Sequence, residues 1–144
     1  MFSKAFYPNM NLFRIVAPLV VFAGLSLNAV AQTAKSNVND QGKIVYESNC
    51  LACHQVDGSG VPQLTPVLIN TDYVKGDKTR LINVVLKGLQ GVEVEGEMYD
   101  NPMPPFDFLS DEEIAAVLTY VRSNFTNKAS AIKKEEVALA RKTK

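Results

Sequence analysis

The sequence predicts an all-α fold for the region that follows its N-terminal segment. Two segments have apolar residues at helical spacing, both are preceded by residues that cap helices, and no segment shows the alternation typical of a strand. Apolar residues make up 47% and charged residues 21% of the 144 residues, as in an ordinary folded chain. This length predicts one domain.

The N-terminal segment has the pattern of a secretory signal peptide. Two basic residues, Lys4 and Arg14, precede an apolar stretch from Ile15 to Leu27. Ala29-Val30-Ala31 then places small residues where signal peptidase cleaves. We therefore expect Gln32 to be the first mature residue and the protein to be periplasmic or otherwise exported. The alternative is an uncleaved anchor, but the apolar segment is at the short limit for crossing a bilayer. We expect no membrane span after cleavage.

Helix signals follow in order along the remaining chain. Residues 40–49 predict a first helix that leads into a cysteine pair, and the glycines and prolines between 58 and 66 indicate a loop. Asp77 can cap a helix over 78–87, which Gly88 ends. Ser110 and Glu113 then form a capping box for the last helix. Its apolar face, spaced i, i+3, i+4 and i+7, consists of Ile114, Val117, Leu118 and Val121.

After the predicted signal peptide (1–31) and a short linker (32–38), the chain consists of an acidic region followed by a basic one. Residues 39–127, the predicted domain, have six basic and thirteen acidic side chains, a net charge of −7. Residues 128–144 have six basic and two acidic ones, a net charge of +4. This basic C-terminal tail could steer a partner or contact an anionic surface, but we expect it to be solvated and frayed. An acidic domain also excludes nucleic acid as a partner.

The chemistry is concentrated in Cys50-Leu51-Ala52-Cys53-His54, which contains both cysteines and the only histidine of the chain. This spacing is the c-type haem attachment pattern. Cys50 and Cys53 can each form a thioether with a haem vinyl group, and His54 is then directed at the iron as an axial ligand. A thioredoxin-like disulfide would require a β-α-β context that the sequence lacks, and a zinc site would require a fourth ligand.

Four methionines are candidates for the second axial ligand. Met1 and Met10 belong to the leader, which leaves Met98 and Met103. Met103 stands in Asn101-Pro102-Met103-Pro104-Pro105-Phe106, where prolines fix the backbone on both sides and favour a rigid loop. We therefore predict Met103 as the ligand, in a His/Met pair typical of electron carriers. Met98 is interpreted as a loop or packing residue.

Taken together, these motifs resemble class I cytochrome c, of the small bacterial periplasmic type. The resemblance covers residues 40–125. It depends on the Cys50–His54 motif, Gly60–Leu68 with Pro66, Met103-Pro104-Pro105-Phe106, Leu109–Ile114 and Tyr120-Val121. It implies the cytochrome c fold, with three to five helices around one covalently bound haem c. The absence of Trp and the short middle segment distinguish this chain from mitochondrial members.

The resemblance also implies contacts within the fold. The Pro66 carbonyl should accept the proton on the distal nitrogen of His54, which would fix the orientation of the imidazole ring. Gly42 and Tyr46 should cross the helix that contains Tyr120. Cys50, Cys53, His54, Met103 and Pro66 are thus the expected cofactor-binding residues, with His54 and Met103 as the metal ligands.

The expected function is single-electron transfer between exported redox proteins in a respiratory chain, by a monomer that is not an enzyme. Candidate partners are a periplasmic dehydrogenase and a terminal oxidase, on family analogy alone. A peroxidase would require an open distal site with proton-handling groups, and His54 is the only histidine. A gas sensor would require displacement of Met103, against the rigidity of its loop.

Overall fold

The computed structural model describes residues 37–143. The predicted signal peptide, its cleavage site before Gln32 and most of the predicted linker lie outside these residues. No helix in the described range is long and apolar enough to cross a bilayer. The elements are α1 (Val38–Asn49), α2 (Leu51–His54), α3 (Asp72–Lys75), α4 (Lys78–Lys87), β1 (Val92–Val94), β2 (Glu97–Tyr99), α5 (Asp111–Ser123) and α6 (Lys134–Lys142).

Helix α1 crosses α5 at Gly42, where the absence of a side chain allows close approach of the two backbones. A Cβ added at Gly42 would collide with the carbonyl oxygen of Ala116 and lie 2.7 Å from Tyr120 Cβ. Next to this crossing, the rings of Tyr46 and Tyr120 pack at 5.6 Å between centroids. The expected crossing is confirmed. α1 begins two residues earlier than predicted, because the Asn37 side chain accepts a hydrogen bond from Asn39 N.

The predicted ends of α4 and the start of α5 are confirmed. Asp77 accepts a hydrogen bond of 2.6 Å from the Arg80 backbone N–H, and Gly88 ends α4 with φ 78°. Ser110 and Glu113 make the reciprocal contacts of a capping box at the start of α5. The predicted apolar face of α5 is buried and forms the centre of the core; it consists of Ile114, Val117, Leu118 and Val121.

A two-stranded antiparallel hairpin is present that the sequence did not predict. β1 and β2 have three residues each, too short to show an alternating pattern, and pair Glu93 with Met98. Glu95 and Gly96 form the turn with positive φ at both positions, as type I′ turns require. Val94 of β1 and Tyr99 of β2 are buried on the inner face of the hairpin, and Met98 is exposed on its outer face.

The C-terminal tail is not solvated, which corrects the expectation for residues 128–144. Ile132, Val137 and Ala140 are buried in the hydrophobic core, and α6 packs on α4 and α5. Lys134 of the tail pairs with Glu112 at 3.0 Å. The tail is therefore held by an apolar face and by opposite charges on the acidic start of α5. No predicted capping signal precedes α6, since its N-cap residue is a lysine.

The all-α class is confirmed, and the described residues contain six helices where three to five were expected. Two of the six, α2 and α3, are single turns of four residues. Thr71 caps α3, whereas α2 has no side-chain cap, and four residues are too few to show a helical periodicity in the sequence. The small hairpin does not change the class, because helices form the core around the candidate site.

Candidate functional site

Two adjoining cavities open between α1, α4, α5 and the two loops that contain Pro66 and Met103. Six residues line both cavities: Cys50, His54, Pro66, Leu89, Met103 and Phe106. The remaining lining is largely aliphatic and aromatic, and no Asp, Glu, Lys or Arg belongs to it within the described range. The structure thus brings all the sequence-predicted site residues but Cys53 to both cavities, and Cys53 lines the second.

His54 is the last residue of α2 and is buried. Its Nδ1 lies 3.1 Å from the carbonyl oxygen of Pro66. A neutral imidazole that donates its Nδ1–H to this carbonyl presents a free lone pair at Nε2. Burial lowers the pKa of His54, and the hydrogen bond to Pro66 opposes that shift. The pKa shift favours the neutral ring, which is the form that binds metals.

Gly60 explains how the Pro66 segment reaches the histidine. A Cβ at Gly60 would lie 2.7 Å from Pro66 O, and the residue has φ 66°. Thr65 adds a second link, because its Oγ1 donates to Cys53 O at 2.7 Å. The Pro66 loop is therefore fixed against the cysteine–histidine segment by close backbone approach and by one side-chain hydrogen bond.

Both cysteines are free thiols beside the cavities, and no disulfide joins them. Burial, followed by the neighbouring Cys53, raises the pKa of the Cys50 thiol to about 11. Cys50 is the N-cap residue of α2 and Cys53 lies within its single turn, so both precede His54 on the same short segment. This arrangement leaves two thiols able to form covalent bonds with one ligand.

Met103 is half-buried and is held by backbone pairing with Leu89. Leu89 N donates to Met103 O at 3.1 Å, and Met103 N donates to Leu89 O at 2.8 Å. Met98, the other candidate, is 58% exposed on the hairpin and lines neither cavity. Of the two methionines, only Met103 has access to the space beside His54.

Sequence reasoning missed the residues that hold the Met103 loop from outside. Leu89 has no side-chain chemistry to reveal its backbone pairing. Gly88 was interpreted only as a helix stop, yet a Cβ there would lie 2.5 Å from Met103 O and 3.2 Å from Pro105 N. A glycine directly after a helix and a proline-rich loop later in the chain were the two available signals, but their contact is long-range.

The donor set fits a haem. A thioether and an imidazole line the same uncharged cavity, two thiols stand at its edge, and apolar side chains form its walls. His/Met ligation and thioether attachment are the c-type pattern. The comparisons with known proteins agree: the family model described as cytochrome c matches residues 40–125. The chain belongs to the cytochrome c family.

Curated proteins similar to this cytochrome c include a cytochrome c-552 and cytochrome subunits of dehydrogenases. Cytochrome c-552 of Thermus thermophilus is 42% identical over 85 residues, which is 56% of this chain and 64% of that protein. The cytochrome c subunit of a quinone alcohol dehydrogenase from Gluconobacter oxydans is 35% identical over 97 residues, 66% of this chain and 20% of the subunit. The fructose dehydrogenase cytochrome subunit of Gluconobacter japonicus is 32% identical over 108 residues, with 69% and 22% covered.

This cytochrome c spans less than two thirds of the length of these relatives. The family match establishes the class I monohaem type and its covalently attached haem c. Family members are typically electron carriers rather than enzymes. The resemblance found in the sequence is thereby confirmed at the level of family, fold and cofactor.

Proposed function

We propose that this protein is a single-electron carrier whose haem iron is bound by His54 and Met103, and that it catalyses no reaction itself. The observation that supports this most directly is the shared cavity, which both side chains line with Pro66 O placed 3.1 Å from His54 Nδ1. That contact leaves Nε2 available for a metal on the cavity side. Cys50 and Cys53 would hold the haem covalently.

When bound, the haem supplies an iron that alternates between ferrous and ferric states. The residues of this chain then have three tasks. The His54 imidazole and the Met103 thioether would hold the iron. The Pro66 carbonyl orients the imidazole and increases its basicity. The aliphatic walls exclude water, and a dry, uncharged environment tunes the potential.

A peroxidase-like activity is not supported by the residues around Met103. Such an enzyme needs an open distal position with a group that handles protons. His54 is the only histidine of the sequence, and within residues 37–143 no Asp, Glu, Lys or Arg side chain lines either cavity. The Leu89 pairing and the flanking prolines also restrain Met103.

For location and partners we propose the assignments made from the sequence. Residues 1–31 act as a signal peptide, the mature chain begins at Gln32, and the monomer works in the periplasm or another exported compartment of a respiratory chain. A dehydrogenase is the proposed electron donor, because two relatives are named as cytochrome subunits of dehydrogenases. A terminal oxidase is the proposed acceptor. An intact mass of the exported protein that includes residues 1–31 would contradict cleavage.

The decisive experiment compares Met103→Ala with Met98→Ala in the haem-loaded protein. Wild type should be low-spin and show, in the ferric state, the weak long-wavelength band of sulfur bound to iron. Met103→Ala should lose that band and have a lower reduction potential, whereas Met98→Ala should keep both. A wild-type protein with high-spin iron, or a Met103→Ala protein that keeps the band, would overturn the His54–Met103 assignment.

A further inference from the structure

The loop that follows Met103 is held from a helix outside the family match. That match ends at residue 125, and α6 begins at Lys134. Arg141, near the end of α6, donates from two of its side-chain nitrogens to the segment between Met103 and α5 and from the third to Asp111, the first residue of α5. The contacts are Nε to Asp111 Oδ1 at 2.6 Å, Nη1 to Asp107 O at 2.8 Å, and Nη2 to Leu109 O.

The two carbonyls bound by Arg141 lie on either side of Phe108, which is 71% exposed. The inward-facing neighbours are Phe106 and Leu109, and both line the first cavity. Phe108 packs on the Phe106 ring at 5.8 Å between centroids, and Leu109 is buried, so the polar contacts of Arg141 add to this apolar packing. The guanidinium thus holds the outer side of a segment whose inner side forms the cavity wall.

The other restraints on this loop act at its beginning and middle. Leu89 pairs with Met103 at the beginning, and Phe106 N donates to Val85 O at 2.8 Å in the middle. Arg141 completes the set at the end, immediately before the capping box of α5. Without this third anchor the stretch from Phe106 to the start of α5 would lose its link to α6, and the cavity wall that Phe106 and Leu109 form beside Met103 would move more freely.

We propose that Arg141 is a positioning residue for the axial thioether: by holding Asp107 and Leu109 it restrains the Met103 loop and keeps Met103 in reach of the iron. This inference rests on the proposed role of Met103. A planar guanidinium can donate in three directions at once from a fixed geometry, whereas a lysine ammonium is a flexible point charge. The position therefore has a specific requirement for arginine, beyond its ion pair with Asp111.

The test measures how readily an added ligand replaces the thioether. Imidazole binds the ferric haem only when Met103 has left, so its dissociation constant reports loop opening. In Arg141→Gln the dissociation constant for imidazole should be about three- to tenfold lower than in wild type, the range expected for losing charge-assisted hydrogen bonds that are partly exposed. Arg141→Lys should have an intermediate value.

The matched control is Lys134→Gln, which removes a positive charge and an ion pair of 3.0 Å from the same helix. Its partner Glu112 lies on α5, outside the Met103 loop. The control should bind imidazole as wild type does, even if its melting temperature falls. Equal imidazole affinities in wild type and both Arg141 variants would overturn the proposal, as would an equal change in Lys134→Gln.

A second readout does not depend on the axial ligand. Hydrogen exchange of the Phe106 and Leu109 amides should be faster in Arg141→Gln than in Lys134→Gln, because both amides belong to the restrained loop. Unchanged exchange would overturn the proposal even if wild type lacked the sulfur–iron band, a result that would separately refute the proposed function. If Arg141→Gln fails to fold, the same comparison is made with Arg141→Lys.

Discussion

Leu89 and Met103 are joined by two backbone hydrogen bonds, and the residue before this pair has no side chain. The Cβ position of Gly88 lies 2.5 Å from Met103 O, with φ 78° at Gly88. The end of α4 and the Met103 loop therefore meet backbone to backbone. Gly88 therefore both ends α4 and allows the backbone of the proposed axial ligand, Met103, to approach closely. The importance of this contact can be tested by adding one methyl group at Gly88.

Gly88→Ala should destabilise the protein by about 3 kcal/mol, since it combines a strained positive φ with a collision. Gly91→Ala is the matched control: it has φ 64° but no atom within 4 Å of its Cβ position. That control should cost only about 1 kcal/mol. The measurement is urea unfolding of both variants. Equal losses would show that the close approach to Met103 is unimportant.

Tyr46→Phe should lower the free energy of unfolding by about 1 to 2 kcal/mol. The hydroxyl of Tyr46 donates to Gln55 O at 2.6 Å, and the tyrosine side chain is almost fully buried. The removal would leave the carbonyl directly after His54 without this partner. Burial raises the pKa of Tyr46 far above its ordinary value, so the hydroxyl remains a donor at neutral pH.

Tyr120→Phe is the control for Tyr46→Phe, because the half-buried Tyr120 ring packs on Tyr46 at 5.6 Å. Both variants keep their aromatic packing and lose one hydroxyl. Denaturant unfolding should separate them, with the smaller loss in Tyr120→Phe. The role of the Tyr46 hydroxyl is contradicted if the two losses are the same.

The sequence predicted local features of this fold well and long-range ones poorly. Asp77, Gly88 and the Ser110–Glu113 box act within one helical turn, so their spacing alone determines the ends of α4 and the start of α5. The hairpin was missed because each strand has three residues. The docking of α6 was missed because it depends on partners that lie between 22 and 58 residues earlier in the chain.

In the candidate site, too, some residues could be predicted from the sequence and others could not. Cys50, Cys53 and His54 form one contiguous motif, and the prolines beside Met103 identify a rigid loop, so the chemistry-bearing residues can be read directly. Leu89 acts only through its backbone, and Arg141 acts through carbonyl groups, which have no residue-specific signature in a sequence. The supporting contacts therefore required the three-dimensional structure.

Arg122→Met should destabilise the protein by about 3 kcal/mol. Arg122 is 2% exposed, and its side chain donates to the backbone carbonyls of Val74, Lys75, Gly76 and Ser130. These bonds join α3 to the chain that leads into α6. Burial lowers the pKa of Arg122, with Glu136 opposing the shift, but a guanidinium stays charged at neutral pH.

The control for Arg122→Met is Arg80→Met. Arg80 also donates to a backbone carbonyl of α3, Asp72 O, at 2.6 Å, but the Arg80 side chain is exposed. Thermal unfolding should show a loss of well under half that of Arg122→Met. If the two losses were similar, burial of the Arg122 guanidinium would not be the source of its contribution.

The stability of the protein should rise with pH in the acid range up to about 4.5, and Glu136 should account for part of that rise. Glu136 accepts from Lys133 N at 2.7 Å and pairs with Lys78 at 3.1 Å. The Lys133 N–H, and then Lys78, hold the pKa of Glu136 below its ordinary value of 4.5. Because the folded state has the lower pKa, this contribution is present above about 4.5 and is lost as pH falls through the folded value.

Glu136→Gln should therefore be less stable than wild type at neutral pH and should show a shallower dependence on pH in acid. The exposed neighbour Glu135 provides the control Glu135→Gln, which should keep the wild-type slope. Urea unfolding at several pH values measures both. A wild-type slope in Glu136→Gln would mean that other carboxylates produce the acid sensitivity, and that the start of α6 does not depend on this charge.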